Sequence, residues 1–418
     1  MFQTEENGGE ANFGLAAGRG GARMGAMKRI RQTFLILAAA AALLAVPAAP
    51  ARDVAPDDSP EALYQTGMSR YNTGDYETSL EFLSELIRVF GREPELRERI
   101  DLAMFAKACA LYNLERPEEA QKAFEALLKE FPKTKYADEA VYRIALCCQQ
   151  TDDLGGAIDA FRRLLREYPS SAFAEDAAFQ IGFCHLSQEE HAEAAEAFGE
   201  FLGRYPGSRL APQAGAYRAR ALFDDGRAMD AIEALKESEA RPRPWSVVTF
   251  SNFLAFEIGD SLFDDSEYDA ALTAYRRVKT RKAILRNLQN ELAAREAEKA
   301  ALDKRPVTPQ TMSAHFRAAR RLERDIAEHR DLLAQLEGMP DYDEGLFHRI
   351  GRCYFNTDRY WPARVAFARV VGVAQDPDIK EAAHFDLILS ISRLRRFDDL
   401  LVEADAYLST YDPKGQWE

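Results

Sequence analysis

The sequence is poor in the residues that carry chemistry. Its six histidines, His185, His191, His315, His329, His348 and His384, are scattered, and no HExxH spacing occurs. There is no GxSxG turn, no P-loop and no glycine-rich turn after a strand. The local signatures of zinc hydrolases, serine hydrolases and phosphate binders are therefore missing. No CxxC pair is present, and Cys184-His185 alone does not make a metal site. The expectation is a chain with no catalytic site, no metal and no cofactor. Basic charge is also short: 54 lysines and arginines stand against 68 aspartates and glutamates, a net charge of −14. An electrostatic nucleic-acid binder needs a basic face, so that class is set aside. A basic partner remains compatible with this balance.

Cysteine is scarce too. Cys109, Cys147, Cys148, Cys184 and Cys353 are odd in number and cannot all pair within one chain. Three of them (147, 184 and 353) fall in one slot of the repeat described below. Neighbouring helices pack about 8–10 Å apart, whereas a disulfide needs Cα atoms within about 7 Å. Buried free thiols are expected instead. Long apolar runs are nearly absent. The run from Phe34 to Val46 is shorter than the ~20 residues of a membrane span. It follows the basic stretch Met27-Lys28-Arg29-Ile30-Arg31 and precedes Ala49-Pro50-Ala51. Basic head, apolar core and small-residue exit compose a secretory signal. Residues 1–51 are read as an extension plus signal peptide, with Met24 and Met27 as alternative starts. Cleavage near Ala51 predicts a periplasmic or exported protein without a transmembrane segment in the mature chain; an uncleaved anchor is the competing reading. No cysteine follows the cleavage site, so no lipid attachment is expected.

Repetition is what the sequence has in abundance. Ala120, Ala157, Ala194 and Ala231 recur every 37 residues, as do Phe124, Phe161 and Phe198, and Pro132, Pro169 and Pro206. A fixed period of this size means stacked supersecondary units rather than one core. Within the second unit, Met104, Ala108 and Leu111 keep helical spacing, Glu115-Arg116-Pro117 turns the chain, and Ala120, Phe124 and Leu127 share the next helix face. Small residues at Ala108 and Ala120 let the two helices approach, and Phe124 fills the space beside them. Further units carry Gly67 with Gly74 and Leu83, Ala145 with Phe161, Gly182 with Phe198, Ala219 with Gly226, Gly259 with Tyr275, and Gly351 with Phe367. A worn eighth unit keeps Phe397-Asp398-Asp399. Thr134, Ser171 and Ser208 stand between units where a helix N-cap is wanted.

This order of small residue, turn, small residue, aromatic and proline resembles the tetratricopeptide repeat, over about residues 60–278 and 342–411. The resemblance implies an all-α superhelical solenoid of about eight helix-turn-helix units that binds protein by shape. The linkers are longer than the family's usual unit allows. In that respect they are similar to repeats of bacterial envelope proteins, namely the Tol-Pal-associated cell-division coordinator and the lipoprotein of the outer-membrane assembly machine. By analogy the first helices line a concave face presenting Tyr64, Tyr71, Phe105, Tyr112, Tyr142, Arg143, Gln149, Phe179, Gln180, Phe183, Tyr217, Arg220 and Phe223. Aromatics beside glutamine and arginine suit an extended peptide or a partner helix. The competing reading is that these rings pack between helices.

The pattern breaks between Lys279 and Gly338. Leu285, Leu288, Leu292 and Leu302 lie in a charged helical run, Pro306 and Pro309 interrupt it, and Leu322, Ile326, Leu333 and Leu336 continue on a return helix. The expectation is an inserted antiparallel hairpin whose first helix continues from Glu267 to Asp303, about 55 Å at ~1.5 Å per residue. It serves either as a docking or oligomerisation arm (281–338) or as a long pair packed on the stack. The organisation is thus 1–51 extension and signal, 52–59 linker, 60–278 repeats one to six, 279–340 hairpin, 341–411 repeats seven and eight, and 412–418 tail. The function expected is an exported scaffold binding envelope proteins. The alternatives are a structural subunit of a motility or secretion assembly, a regulator of peptidoglycan or division, and an enzyme accessory that presents a glycan or peptide to a hydrolase.

Overall fold

In the computed structural model, residues 59–239, 243–308 and 310–411 are described. The signal-peptide reading, most of the linker and the tail from residue 412 lie outside them. Eight helix pairs follow one another, each antiparallel and each closed by a tight turn. They are α1 (Pro60–Asn72) with α2 (Tyr76–Phe90), α3 (Arg97–Asn113) with α4 (Pro117–Glu130), and α5 (Ala137–Gln150) with α6 (Leu154–Glu167). Next come α7 (Ala174–Ser187) with α8 (His191–Arg204), α9 (Ala211–Asp224) with α10 (Ala228–Glu239), and α11 (Trp245–Asp264) with α12 (Tyr268–Tyr275). The inserted hairpin is α13 (Arg281–Asp303) and α14 (Met312–Glu337). Two pairs close the stack, α15 (Asp343–Asn356) with α16 (Tyr360–Val373) and α17 (Pro377–Arg393) with α18 (Phe397–Thr410). No strand occurs among the described residues, so the expected all-α solenoid stands.

The turns show why eight units are one motif. Each places a single residue in the left-handed region: Gly74, Glu115, Asp152, Glu189, Gly226, Ser266, Asp358 and Arg395, with φ between 55° and 81°. The following amide then reaches back to a carbonyl five residues earlier, as from Arg116 to Leu111 (3.1 Å) and from Arg227 to Leu222 (2.8 Å). This closure satisfies carbonyls that a helix end leaves bare. Only two of the eight positions hold glycine, so six turns carry the steric cost of a Cβ there.

Close approach within a pair is set by the small residue of the first helix. A Cβ added at Gly182 would lie 2.8–2.9 Å from three ring carbons of Phe198. Gly259 meets Tyr275 and Gly351 meets Phe367 in the same way. Phe124, Phe161, Phe198 and Phe367 are fully buried by this arrangement. Burying a side chain of this size contributes about 1.5–3 kcal/mol each.

Two expectations are corrected. Thr134, Ser171 and Ser208 do not cap helices. Their hydroxyls accept from the amides of Tyr136, Phe173 and Leu210, two residues on (3.2, 3.1 and 2.9 Å), and those later residues occupy the cap positions. Ser171 and Ser208 also donate to Asp138 (2.7 Å) and Glu175 (2.6 Å) of the preceding first helix, latching unit to unit. Nor is the hairpin a continuation of the sixth unit. Its helix α12 ends at Tyr275, and α13 starts afresh with Thr280 as N-cap, accepting from Ala283 at 3.2 Å. The five cysteines are buried and unpaired, as expected.

Candidate interaction face

On the first helices of units one to five the nominated residues fall at positions i, i+1, i+4 and i+7, as in Tyr142, Arg143 and Gln149, which lie on one face. Tyr64, Phe105, Tyr142 and Phe179 are equivalent. Phe105 stacks on Tyr136 (centroids 4.4 Å apart) and Tyr142 on Phe173 (4.8 Å), so each ring wedges against the linker to the next unit. Tyr142 is half-buried and its hydroxyl donates to Asp176 of the neighbouring first helix. Burial lifts both that hydroxyl and the Asp176 carboxyl above their ordinary ranges.

The polar members are paired laterally. Arg143 is held by Glu139 (2.7 Å) and lies over the Tyr112 ring (5.5 Å). Arg220 bridges Asp224 (2.7 Å) and Glu257 (2.8 Å) across two helices and lies over Phe223 (5.9 Å). Burial is the chief cause that raises the Tyr71 hydroxyl and the Cys109 thiol above their ordinary ranges. Tyr64 has the Arg99 guanidinium over its ring at 5.8 Å. The amide nitrogen of Gln149 donates to the Gln180 carbonyl and to the Cys184 sulfur, both at 3.2 Å. One acceptor on Gln149 and the donor amide of Gln180 are left beyond those bonds.

Three nominated rings are not surface groups. Phe179, Tyr217 and Phe223 are 7%, 5% and 8% exposed. Phe179 and Tyr217 belong to a cluster with Phe198 and Phe201, where the fourth unit brings an extra aromatic into the seam. Tyr64, Tyr71, Phe105, Tyr112, Tyr142 and Phe183 remain half-buried, with one edge to solvent. Sequence reading missed the acids that join first helices: Asp176, Glu257, and Asp260, which pairs with Arg349 at 2.8 Å. Their signal is a spacing near one repeat, 34 residues from Tyr142 to Asp176 and 37 from Arg220 to Glu257. Among the described residues no three His, Cys, Asp or Glu side chains gather as metal ligands. No described helix is long and apolar enough to cross a membrane. A face of paired charges and half-covered rings can bind by shape and hydrogen bonding.

Tetratricopeptide repeat family models match residues 105–172, 61–91 and 176–208. The chain therefore carries tetratricopeptide repeats, a class whose folds typically serve as non-catalytic platforms for protein–protein interaction. No curated protein matches the chain. Among solved structures it is similar to a tetratricopeptide repeat protein from Parabacteroides merdae ATCC 43184, at 13% identity and a TM-score of 0.39, over 78% of this chain and 98% of that one. It is also similar to the MamA protein, at 17% and 0.36, over 43% and 89%. MamA 41-end from Desulfovibrio magneticus RS-1 matches at 20% and 0.30, over 44% and 90%. The finer likeness to the Tol-Pal coordinator and the assembly lipoprotein finds no support in these matches.

Proposed function

We propose that this chain is an exported scaffold of the bacterial cell envelope whose first-helix face takes an extended peptide or a partner helix. The observation that carries the binding reading is the Gln149–Gln180 pair. Among the described residues it leaves the Gln149 carbonyl and the Gln180 amide without a side-chain partner, on a face that also carries the half-buried rings of Tyr112 and Phe183. An extended backbone needs that donor and acceptor, and the flanking rings supply apolar cover. The export reading rests on residues 27–51, and the envelope reading on the linker style. Neither needs a cofactor.

The test is a photo-crosslinking amino acid placed at Gln180, and separately on the outer helix at Lys122, in cells. A protein crosslinked from Gln180, and weakened by Gln149→Ala, supports the face. Crosslinks from Lys122 alone overturn it. N-terminal sequencing of the protein recovered from the periplasmic fraction should begin near Arg52; a cytoplasmic pool starting at Met1, Met24 or Met27 refutes export.

A further inference from the structure

Exposed apolar side chains are not spread evenly over this molecule. Of the twelve large ones among the described residues, three (Val307, Met312 and Phe316) sit at the tip of the α13–α14 arm, and four (Phe397, Leu401, Val402 and Leu408) sit on the last helix, α18. Patches of this kind on a soluble surface mark interaction sites. Their surroundings carry opposite charge. From residue 304 to 324 the arm has six lysines and arginines against one glutamate, in a chain of net charge −14. On α18 there are four carboxylates and no lysine or arginine. Asp399 pairs with Arg396 (2.8 Å), and Glu403 lies 3.3 Å from His384. Asp398 and Asp405 are exposed and make no ion pair among the described residues.

The two helices also share a layout. On α14, Met312 and Phe316 form a stripe, and Arg320 and Arg324 lie next to it in the direction of helical rotation. On α18, Phe397, Leu401 and Leu408 form the stripe, and Asp398 and Asp405 lie beside it in the same rotational sense. When two such helices pack antiparallel, flanks of the same sense meet. Met312 and Phe316 then lie against the Leu408 end of the α18 stripe, and Arg320 and Arg324 run along the flank that carries Asp405 and Asp398. The lengths agree as well: Met312 to Arg324 spans about 18 Å and Phe397 to Leu408 about 16 Å, at ~1.5 Å per residue.

We propose that the occupant of the α18 face is the arm tip of a second copy of this chain, in a head-to-tail contact. Among the described residues nothing covers either patch, and each has what the other lacks. An anionic bilayer is the weaker occupant for the tip, because the rest of the chain repels a negative surface. A contact between two different patches is heterologous, so it closes into a ring or extends as a filament, and attraction between exposed charges makes it salt-sensitive. This takes up the oligomerisation reading of the arm without requiring the peptide face, since neither patch includes a residue of that face.

Sedimentation velocity of the purified chain from residue 52, across a hundredfold concentration range at low and high salt, is the test. Mass should rise with concentration at low salt and fall back in 0.5 M salt. Arg320→Glu with Arg324→Glu should leave the chain monomeric, and so should Asp398→Arg with Asp405→Arg. Mixing the two charge-reversed proteins, or combining all four changes, should restore association. Unchanged helical circular dichroism shows that the variants fold. A monomer throughout, an oligomer indifferent to either reversal, or a monomer that pellets with phosphatidylglycerol vesicles through Arg320 and Arg324 would each overturn the proposal.

Discussion

Gly182 offers a direct check on how the helix pairs close. Replacing it with alanine adds a methyl whose carbon would sit 2.8–2.9 Å from three carbons of the Phe198 ring. Ordinary carbon contacts are about 3.5–4.0 Å, so α7 and α8 must part or the ring must tilt. The neighbouring aromatics Phe179 and Tyr217, at 5.6 and 5.7 Å from that ring, leave it little room to do so. Overpacking of this kind costs about 1–3 kcal/mol. Alanine regains about 1 kcal/mol of helix propensity, leaving Gly182→Ala destabilised by up to about 2 kcal/mol. The lower half of that range is favoured, because units two and three hold Ala108 opposite Phe124 and Ala145 opposite Phe161, so a methyl fits at a wider crossing. Gly203, also helical, has nothing within 4 Å of an added Cβ. Gly203→Ala should therefore stabilise, by about 0.4–1 kcal/mol. Guanidinium denaturation of both variants reads the contrast as opposite shifts of midpoint. Equal shifts of the same sign would refute the close-contact account of the small-residue slot.

Glu115→Gly and Glu189→Gly, at exposed left-handed turn positions, should each stabilise by about 0.5–1 kcal/mol, the steric relief exceeding the added chain entropy; a lowered midpoint in both would sink the turn reading. The thiols should be inert in the native state, because burial pushes Cys109, Cys147 and Cys353 up to about 12 and Cys184 to about 11. Ellman's reagent at pH 8 should find almost none before denaturation and five after it, and rapid native labelling would contradict the burial. Burial raises the Asp176 carboxyl above its ordinary 3.8. Its folded pKa thus exceeds its unfolded one, so its charge opposes folding at neutral pH and that penalty is absent below the unfolded value. The stability of Asp176→Asn relative to the parent should improve as pH rises above 4, and a difference that is flat with pH counts against it. Asn252→Ala should loosen the root of the arm, seen as faster hydrogen exchange at residues 279–290 with the first four units unchanged; uniform exchange in all segments would show that Asn252 has no local role.

The stack was legible because its packing demands recur. A small residue must oppose a bulky one in every pair, and a turn must follow at a fixed distance, so Gly182 and Phe198 reappear as Gly259 and Tyr275 and as Gly351 and Phe367. Which rings of the first-helix face are buried was not legible. Phe105, Tyr142 and Phe179 occupy equivalent positions, yet only Phe179 is in the core. Phe105 and Tyr142 have a linker aromatic to stack on, Tyr136 and Phe173, whereas the equivalent residue for Phe179 is Leu210. Phe201 and Tyr217 close over Phe179 instead. Burial there depends on volumes supplied by the flanking unit, which no single repeat encodes.

The break before the arm shows the same limit from the other side. From Tyr268 to Asp303 the residues favour helix throughout, with no glycine or proline, so local preference alone predicts one continuous rod. Contacts distant in sequence override it. Asn252 on α11 accepts from the Lys279 amide (2.6 Å) and donates to the Lys279 carbonyl (3.3 Å), and the Tyr342 hydroxyl donates to that carbonyl at 2.9 Å. Asp343 accepts from the amides of Arg281 (2.5 Å) and Lys282 (3.3 Å), taking two of the donors a new helix leaves bare. Arg281 in turn binds the carbonyls of Leu336 (2.9 Å) and Glu337 (2.8 Å), where the return helix ends. Start and finish of the arm are thus clamped to the same few residues of the sixth and seventh units. The arm's direction is fixed at its root, which lets a surface at its tip present a constant geometry to whatever it meets.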